Sequence, residues 1–251
     1  MNHIIKSTQL ASGYRETHCS DCALSLVCLP PSVQASELLQ LDAIIEHRPP
    51  IKRNDALFFQ GQAFNRVYAV RSGAVKTTLV LNNGIEQVTG FYLPGDIIGL
   101  DSIGHHEYVN SAYALETTTL CAIPYTDLKS LGRLIPSLQD HISGLMSYEI
   151  RQGQQALLSI SKLTAQERIV MFLLSISTRY QRRRLSGHHF HLPMSRSSIG
   201  NYLGLTLETV SRVFAQLQQQ QVLTVNNKDV HILDFDYLSQ MVEPKSVRAV
   251  S

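Results

Sequence analysis

The hydrophobic pattern of this chain changes its period at Pro136, and that change constrains the fold more than any other feature. Between residues 51 and 123 the pattern is one of short β-branched runs broken by turn residues. "RVYAVRSGAVKTTLVLNNGIEQVTGFYLPGDIIGL" alternates strand-like segments with Ser-Gly, Asn-Gly and Pro-Gly. Asn83-Gly84 predicts a type I′ hairpin turn, whose two central positions both need positive φ. "TTTLCAIP" is a further strand and carries Cys121. Many short strands at regular spacing predict an antiparallel β-roll or barrel. Before them, Leu38, Leu39, Leu41, Ile44 and Ile45 predict a short helix between "LPP" and "RPP".

Beyond Pro136, the residues Met146, Ile150, Gly153, Leu157 and Ile160 recur at spacings of four, three, four and three. This is a narrow apolar seam on one long helix, the pattern of a helix that meets a second helix. The other use of such a seam is packing against the chain's own β-domain. Gly153 costs about 1 kcal/mol of helix propensity relative to Ala and permits close backbone approach. A weakened dimer helix suits a dimer that is switched.

"TAQERIVMFLLSISTRYQRRR" opens with Thr164 and Glu167 in capping-box spacing and ends basic. After a short strand "FHLP", residues 195–203 predict a helix, Gly204 and Leu205 a turn, and residues 206–220 a second helix capped by Thr206. "VLTV–NNKD–VHIL" predicts a β-hairpin. Helix, turn, helix and hairpin make a winged helix-turn-helix, whose second helix lies in a major groove. Charge agrees. Residues 1–163 carry 12 Lys/Arg against 14 Asp/Glu, whereas residues 164–251 carry 10 against 6. A basic second half on a chain of net charge +2 hints at a phosphate-facing surface.

Glu208, Ser211 and Arg212 share one side of that second helix near its start. Arg can grip guanine O6 and N7 with two hydrogen bonds, and Glu can accept from cytosine N4. The bland alternative is an exposed Glu208–Arg212 pair worth about 0.3–0.5 kcal/mol. Ser195, Ser197, Asn201, Thr209 and Lys228 are candidates for phosphate contacts, which position without specifying sequence.

The segment "HCSDCALSLVC" gathers three of the four cysteines as C-x2-C-x5-C, and the fourth is Cys121. The N-terminus has no apolar run of signal length, and no stretch approaches ~20 uninterrupted apolar residues. A cytoplasmic protein is therefore expected, and there clustered thiols favour metal or redox chemistry over disulfides. Four thiolates suit zinc or an iron–sulfur cluster, and spacing alone does not choose between them. Unrelated buried thiols are the remaining alternative.

Taken together, Cys19, Cys22, Cys28 and Cys121, the long helix around residues 138–163 and "LTLETVSRVF" resemble the FNR branch of the CRP/FNR family of bacterial transcription regulators. The likeness runs from about residue 16 to about residue 240. It implies an α+β architecture: an N-terminal cluster-binding segment (1–32), an antiparallel β-roll like cyclic-nucleotide-binding jelly rolls (33–135), a dimerisation helix (136–163) and a winged helix-turn-helix (164–251). It implies that the four cysteines hold one oxygen-labile 4Fe–4S cluster per subunit. Oxygen would convert this cluster to a 2Fe–2S form and dissolve the homodimer. The resemblance also implies that Glu208, Ser211 and Arg212 read a TTGAT half-site of a palindromic double-stranded DNA operator. Loops of the roll, including the Asn83-Gly84 hairpin, would touch RNA polymerase. Met146, Ile150, Gly153, Leu157 and Ile160 would form the dimer interface.

One departure is informative. "PGDIIGLDSIGHHEYVNSAYAL" resembles the phosphate cassette of cyclic-nucleotide-binding relatives, in which an Arg-Ser or Arg-Thr pair grips the cyclic phosphate. Here Asn110-Ser111 stands in that place. A neutral amide cannot supply the charge-assisted bond, so no cyclic nucleotide is expected. A regulator with zinc on the cysteines, or with another small molecule in the roll, is the alternative. An enzyme built on the roll would need clustered His and carboxylate ligands. His105 and His106 are adjacent, so on a strand they would point to opposite faces. "HHFH" at residues 188–191 lies beyond the long helix. No nucleophile motif or P-loop is present, and neither enzyme nor membrane protein is expected.

Overall fold

The computed structural model describes residues 18–30 and 32–242. Residues 1–17 of the expected cluster-binding segment and residues 243–251 of the expected DNA-binding unit lie outside the described residues.

The arm begins with a 3-10 turn, Cys19–Asp21, and a single helical turn, α1 (Ser25–Cys28). Helix α2 (Ala35–Ala43) follows, opened by a capping box between Gln34 and Glu37. Two antiparallel sheets then build the roll. One has the strand order β1 (Glu46–His47), β8 (Thr119–Pro124), β3 (Arg66–Ser72), β6 (Ile97–Ile98). The other runs β2 (Ala56–Phe58), β7 (Ser111–Ala114), β4 (Val75–Val80), β5 (Glu86–Tyr92).

The alternation of side chains along β8 decides the position of Cys121. Leu120 and Ala122 join Phe58, Tyr68 and Tyr108 inside the roll. Ile123 packs on the opposite face of the sheet with Leu29, Leu41, Leu128 and Leu138. By the two-residue period of a strand, Cys121 shares that outer face with Ile123. This is the face covered by the arm and the helices α3 (Tyr125–Leu134) and α4 (Pro136–Lys162).

The β4–β5 connection differs from expectation. Gly84 takes φ +80°, but Asn83 does not take positive φ. Leu81 and Ile85 close a three-residue loop in which Gly84 N–H donates to Leu81 O. This is a type I turn followed by a left-handed glycine, not the type I′ turn. Asn83 Oδ1 accepts from Ile85 N–H at 3.1 Å, so its side chain stabilises the tighter three-residue form.

Helix α4 has Pro136 at its first turn, where the missing N–H is harmless. Helix α5 (Ala165–Arg182) starts with the expected capping box: Thr164 Oγ1 accepts from Glu167 N–H, and Glu167 Oε2 accepts from Thr164 N–H at 2.8 Å. The winged helix-turn-helix is complete with β9 (His189–His191), α6 (Arg196–Leu203), α7 (Leu207–Gln219), β10 (Leu223–Asn226) and β11 (Asp229–Ile232), followed by α8 (Phe235–Val242). The three wing strands form one antiparallel sheet in the order β10-β11-β9. The core of this unit is continuous with Val88, Phe91 and Leu93 of the roll.

Candidate metal centre and DNA-reading surface

The arm brings Cys19 and Cys22 to the two ends of the 3-10 turn and Cys28 to the end of α1. Cys121 lies opposite Ala69 of β3 and His47 of β1, and the small side chain of Ala69 leaves room above the sheet. All four are half-buried free thiols. Cys22 and Cys121 both act electrostatically on Cys19 and on Cys28, and Cys22 acts on Cys121, so the four stand as one group. Burial, with the neighbouring thiols and Asp42 adding to it, pushes Cys19 up to about 12. Burial and the other thiols push Cys28 up to about 12 as well, and Cys121 is also raised, chiefly by burial. Without a cation these groups stay as thiols at neutral pH. A bound metal supplies the positive charge that makes them thiolates.

Asp42 of α2 secures the near end of the arm. Its carboxylate accepts from Cys19 N–H at 2.8 Å and stands 2.5 Å from His18 Nδ1. Burial opposes its ionisation, but these hydrogen bonds outweigh burial and hold its carboxyl below the usual range. At the far end His141 Nε2 of α4 lies 3.1 Å from Cys28 O. The geometry bears on the donor set. Four thiolates on one zinc stand about 3.8 Å apart, given Zn–S near 2.3 Å. Among the described residues no three His, Cys, Asp or Glu side chains make such a compact cage. Four grouped thiols spaced more widely suit a multi-iron core, whose ligands are Cys thiolates.

On α4 the residues expected at a dimer seam separate into two kinds. Met146 packs with the core that also holds Cys19 and Cys28. Ile150, Leu157 and Ile160 are 63%, 69% and 44% exposed, and nothing lies within 4 Å of where a Gly153 side chain would start. The seam does not pack on the chain's own β-domain from residue 150 onward. A second seam, offset by one residue, does that work through Leu138, Ile142, Leu145, Glu149 and Ser159.

Between α4, the roll and α5 lies a cavity of about 800 Å³. Asn110 is on its wall, donating to Asp101 Oδ2 at 2.5 Å and accepting from Thr89 Oγ1 at 3.0 Å. Glu149 enters from α4, accepting from Tyr92 OH at 3.4 Å. Burial, with the charges of Asp101 and Asp96, raises its carboxyl to about 7.

Among the base-reading candidates, Glu208, Ser211 and Arg212 are all exposed on one side of α7. Thr206 caps that helix by accepting from Thr209 N–H, and its hydroxyl lies 3.1 Å from that of Thr209. Ser195 caps α6 by accepting from Ser198 N–H, and Ser197 is exposed beside it. Two phosphate candidates are placed differently from expectation. Asn201 turns to the roll: its Oδ1 accepts from Val88 N–H at 2.5 Å and its amide donates to Glu86 O at 2.9 Å. Lys228 donates to Pro193 O at 2.8 Å and bridges the wing to the strand before α6. The backbone donors of an uncovered edge strand, β5, attract the Asn201 amide because they have no ladder partner.

Two groups carried no signal in the sequence. Arg168 donates to Leu163 O, Leu203 O and Ile160 O, closing the ends of α4 and α6. Asp96, in the turn after β5, pairs with Arg179 and Arg183 of the α5 region. Such partners are far apart in the chain, so no local pattern announces them.

Comparison with known proteins agrees with this architecture. Residues 49–133 match the cyclic nucleotide-binding domain and residues 167–241 the Crp-like helix-turn-helix domain. The chain is 47% identical over 220 residues to the transcriptional activator protein FnrA of Stutzerimonas stutzeri, covering 88% of this chain and 90% of that protein. It is 47% identical over 219 residues to the transcriptional activator protein Anr of Pseudomonas aeruginosa, covering 87% and 90%. It is 41% identical over 233 residues to the fumarate and nitrate reduction regulatory protein of Vibrio cholerae, covering 93% of each. The structure of FixK2 from Bradyrhizobium japonicum superposes with a TM-score of 0.72 at 28% identity, covering 79% of this chain and 97% of that one. Among the described residues no helix is long and apolar enough to cross a membrane. With both domain types present in this order and relatives this similar across most of their length, the chain belongs to the CRP/FNR family and is a DNA-binding transcription regulator, not an enzyme.

Proposed function

We propose that this regulator governs anaerobic metabolism in the cytoplasm in response to oxygen, through one 4Fe–4S cluster per subunit held by Cys19, Cys22, Cys28 and Cys121. The observation that carries the reading is the gathering of three arm thiols over Cys121 on the one sheet face that also seats α4. The relatives named as activators, and the one named for fumarate and nitrate reduction, support the physiological assignment.

A bound cluster would supply oxygen-labile redox chemistry and enough positive charge to ionise four buried thiols. This chain's residues do the rest. The arm packs Cys19 and Cys28 into the same core as Ile142, Leu145 and Met146, so ordering the arm orders the first half of α4. The exposed seam from Ile150 to Ile160 then meets the same seam of a second copy. The homodimer presents two α7 helices to a palindromic TTGAT-type operator, with Glu208, Ser211 and Arg212 toward the bases. The β4–β5 hairpin tip, with exposed Val80, Leu81 and Ile85, is the surface offered to RNA polymerase. Asn110 is held by Asp101, whose carboxylate disfavours a phosphate, so the roll takes no cyclic nucleotide.

The test is an air-free preparation assayed for iron, sulfide, visible absorbance and sedimentation, before and after measured addition of air. Brown protein with iron and sulfide in equal amounts, dimeric without air and monomeric after it, is the expected result. Colourless protein with about one zinc per chain would replace the cluster with a structural site. Cys121→Ala and Cys121→Ser are expected to lose iron and anaerobic activation together; full activation of both would reject the four-ligand set.

A further inference from the structure

The cysteine arm touches more than α4. Val27 and Cys28 rest on the turn between β5 and β6. Cys28 Sγ lies 3.7 Å from Gly95 O, and a side-chain carbon on Gly95 would fall 2.7 Å from Val27 Cγ1, so only glycine fits beneath the arm. The next residue, Asp96, is the meeting point with the DNA-binding half. Its Oδ2 accepts from Leu93 N–H at 2.7 Å, pairs with Arg179, and lies 3.5 Å from Arg183 Nη2. Arg179 also donates to Phe91 O at 2.7 Å.

The charges here do not balance. One carboxylate faces two guanidinium groups. The Arg183 side chain is only 4% exposed, and its Nε–H has no hydrogen-bond partner among the described residues. That nitrogen stands 3.8 Å from the position of a Gly95 side chain, on the arm's side of the turn. A buried cation with an unused donor is costly unless another anion comes near it. The thiols of the arm become that anion when they ligate metal.

We propose that Arg183, supplied by the DNA-binding half, is the counter-charge to the metal-bound cysteines, and that Asp96 and Arg183 join the cluster site to α5 within one subunit. This route is separate from the dimer helix. It rests on the four-cysteine reading given above. When the arm is loaded, negative charge at Cys28 holds Arg183, and α5 is drawn against the roll. When the arm is empty, Arg183 is over-supplied with positive neighbours, and α5 is held less firmly. Loading thereby fixes the orientation of the reading helix as well as the number of chains.

The test is hydrogen–deuterium exchange of the full chain, air-free and iron-loaded, against the same chain stripped of iron by a chelator, with iron and sulfide assayed on every sample. In the native chain, loading should slow exchange in residues 176–184 on the order of tenfold. Arg183→Gln should bind iron yet lose that difference, and Arg183→Lys, which keeps the charge, should retain most of it. Asp96→Asn should lose it as well. A native chain that loads iron with no change at residues 176–184 overturns the joint while leaving the metal centre standing. An Arg183→Gln variant with the native difference overturns the role of Arg183. A native chain without iron overturns the metal reading itself.

Discussion

His141 Nε2 on α4 lies 3.1 Å from the carbonyl oxygen of Cys28, so the dimer helix holds the end of the cysteine arm directly. Burial lowers the tendency of this imidazole to protonate, although the hydrogen bond works the other way. A neutral ring with its proton on Nε2 therefore donates to Cys28 O. Removing this donor leaves a half-buried carbonyl without that partner, at a cost of about 1–3 kcal/mol. His141→Ala is expected to expose the arm to proteolysis in air-free, iron-loaded protein. Identical cleavage of variant and native chain would show that Asp42 and the apolar contacts of Leu29 suffice to hold the arm.

Gly153 sits in the open half of the seam, with nothing in contact where a side chain would begin. Gly153→Ile therefore meets no obstacle within the subunit, raises helix propensity by something under about 1 kcal/mol, and adds an apolar knob beside Ile150 and Leu157. Sedimentation of the cluster-free variant should show dimer at concentrations where the native chain is monomeric. If the two behave alike, the switch lies away from this seam.

The two seams of α4 show what could be read in the sequence and what could not. The strand region, the long helix and the winged helix-turn-helix all leave local periods or caps, such as Thr164–Glu167 and Thr206, and these were legible. The 146–160 seam was legible as apolar spacing. The inward face was not, because it includes Glu149 and Ser159, polar residues that no hydrophobic period would select. Asn201 was read by type as a phosphate ligand. Its actual partner is a β5 edge 113 residues away, and only the packing of the two halves creates that contact. The cysteines were legible as a set, but their placement over one sheet face depends on the parity of β8.

Arg212 and Asn201 should respond differently to substitution. Arg212→Ala is expected to cost about 1–3 kcal/mol on the preferred operator and to relax discrimination at one guanine, because a bidentate base contact is lost. Equal loss on all DNA would make Arg212 a phosphate contact. Asn201→Ala removes the clamp to Glu86 and Val88. It should leave the slope of affinity against salt unchanged while speeding amide exchange along β5. A slope reduced by about one would assign Asn201 to a phosphate after all.

Glu149 carries a pH dependence whose sign follows from its burial. Its carboxyl is raised from 4.5 to about 7 by desolvation, with Asp101 and Asp96 adding to the effect and the Tyr92 hydroxyl working against it. Below about 4.5 the folded and unfolded chains both hold the proton, and this group imposes no penalty. Between there and about 7 the unfolded chain has released its proton while the folded chain keeps it. The unfolded state binds fewer protons, so stability falls as pH rises, by at most about 3 kcal/mol before levelling off above pH 7. Glu149→Gln keeps an acceptor for Tyr92 OH and removes the ionisation. Urea unfolding of the metal-free chain at pH 5.5 and pH 8 should show a gain for the variant that is larger at pH 8. Because Glu149 is on the inward face of α4, the same ionisation should loosen that helix, so native metal-free chain at pH 8 should exchange amides around residue 149 faster than the variant. Equal gains at both pH values would mean that water reaches this carboxylate and that the cavity wall around it is open.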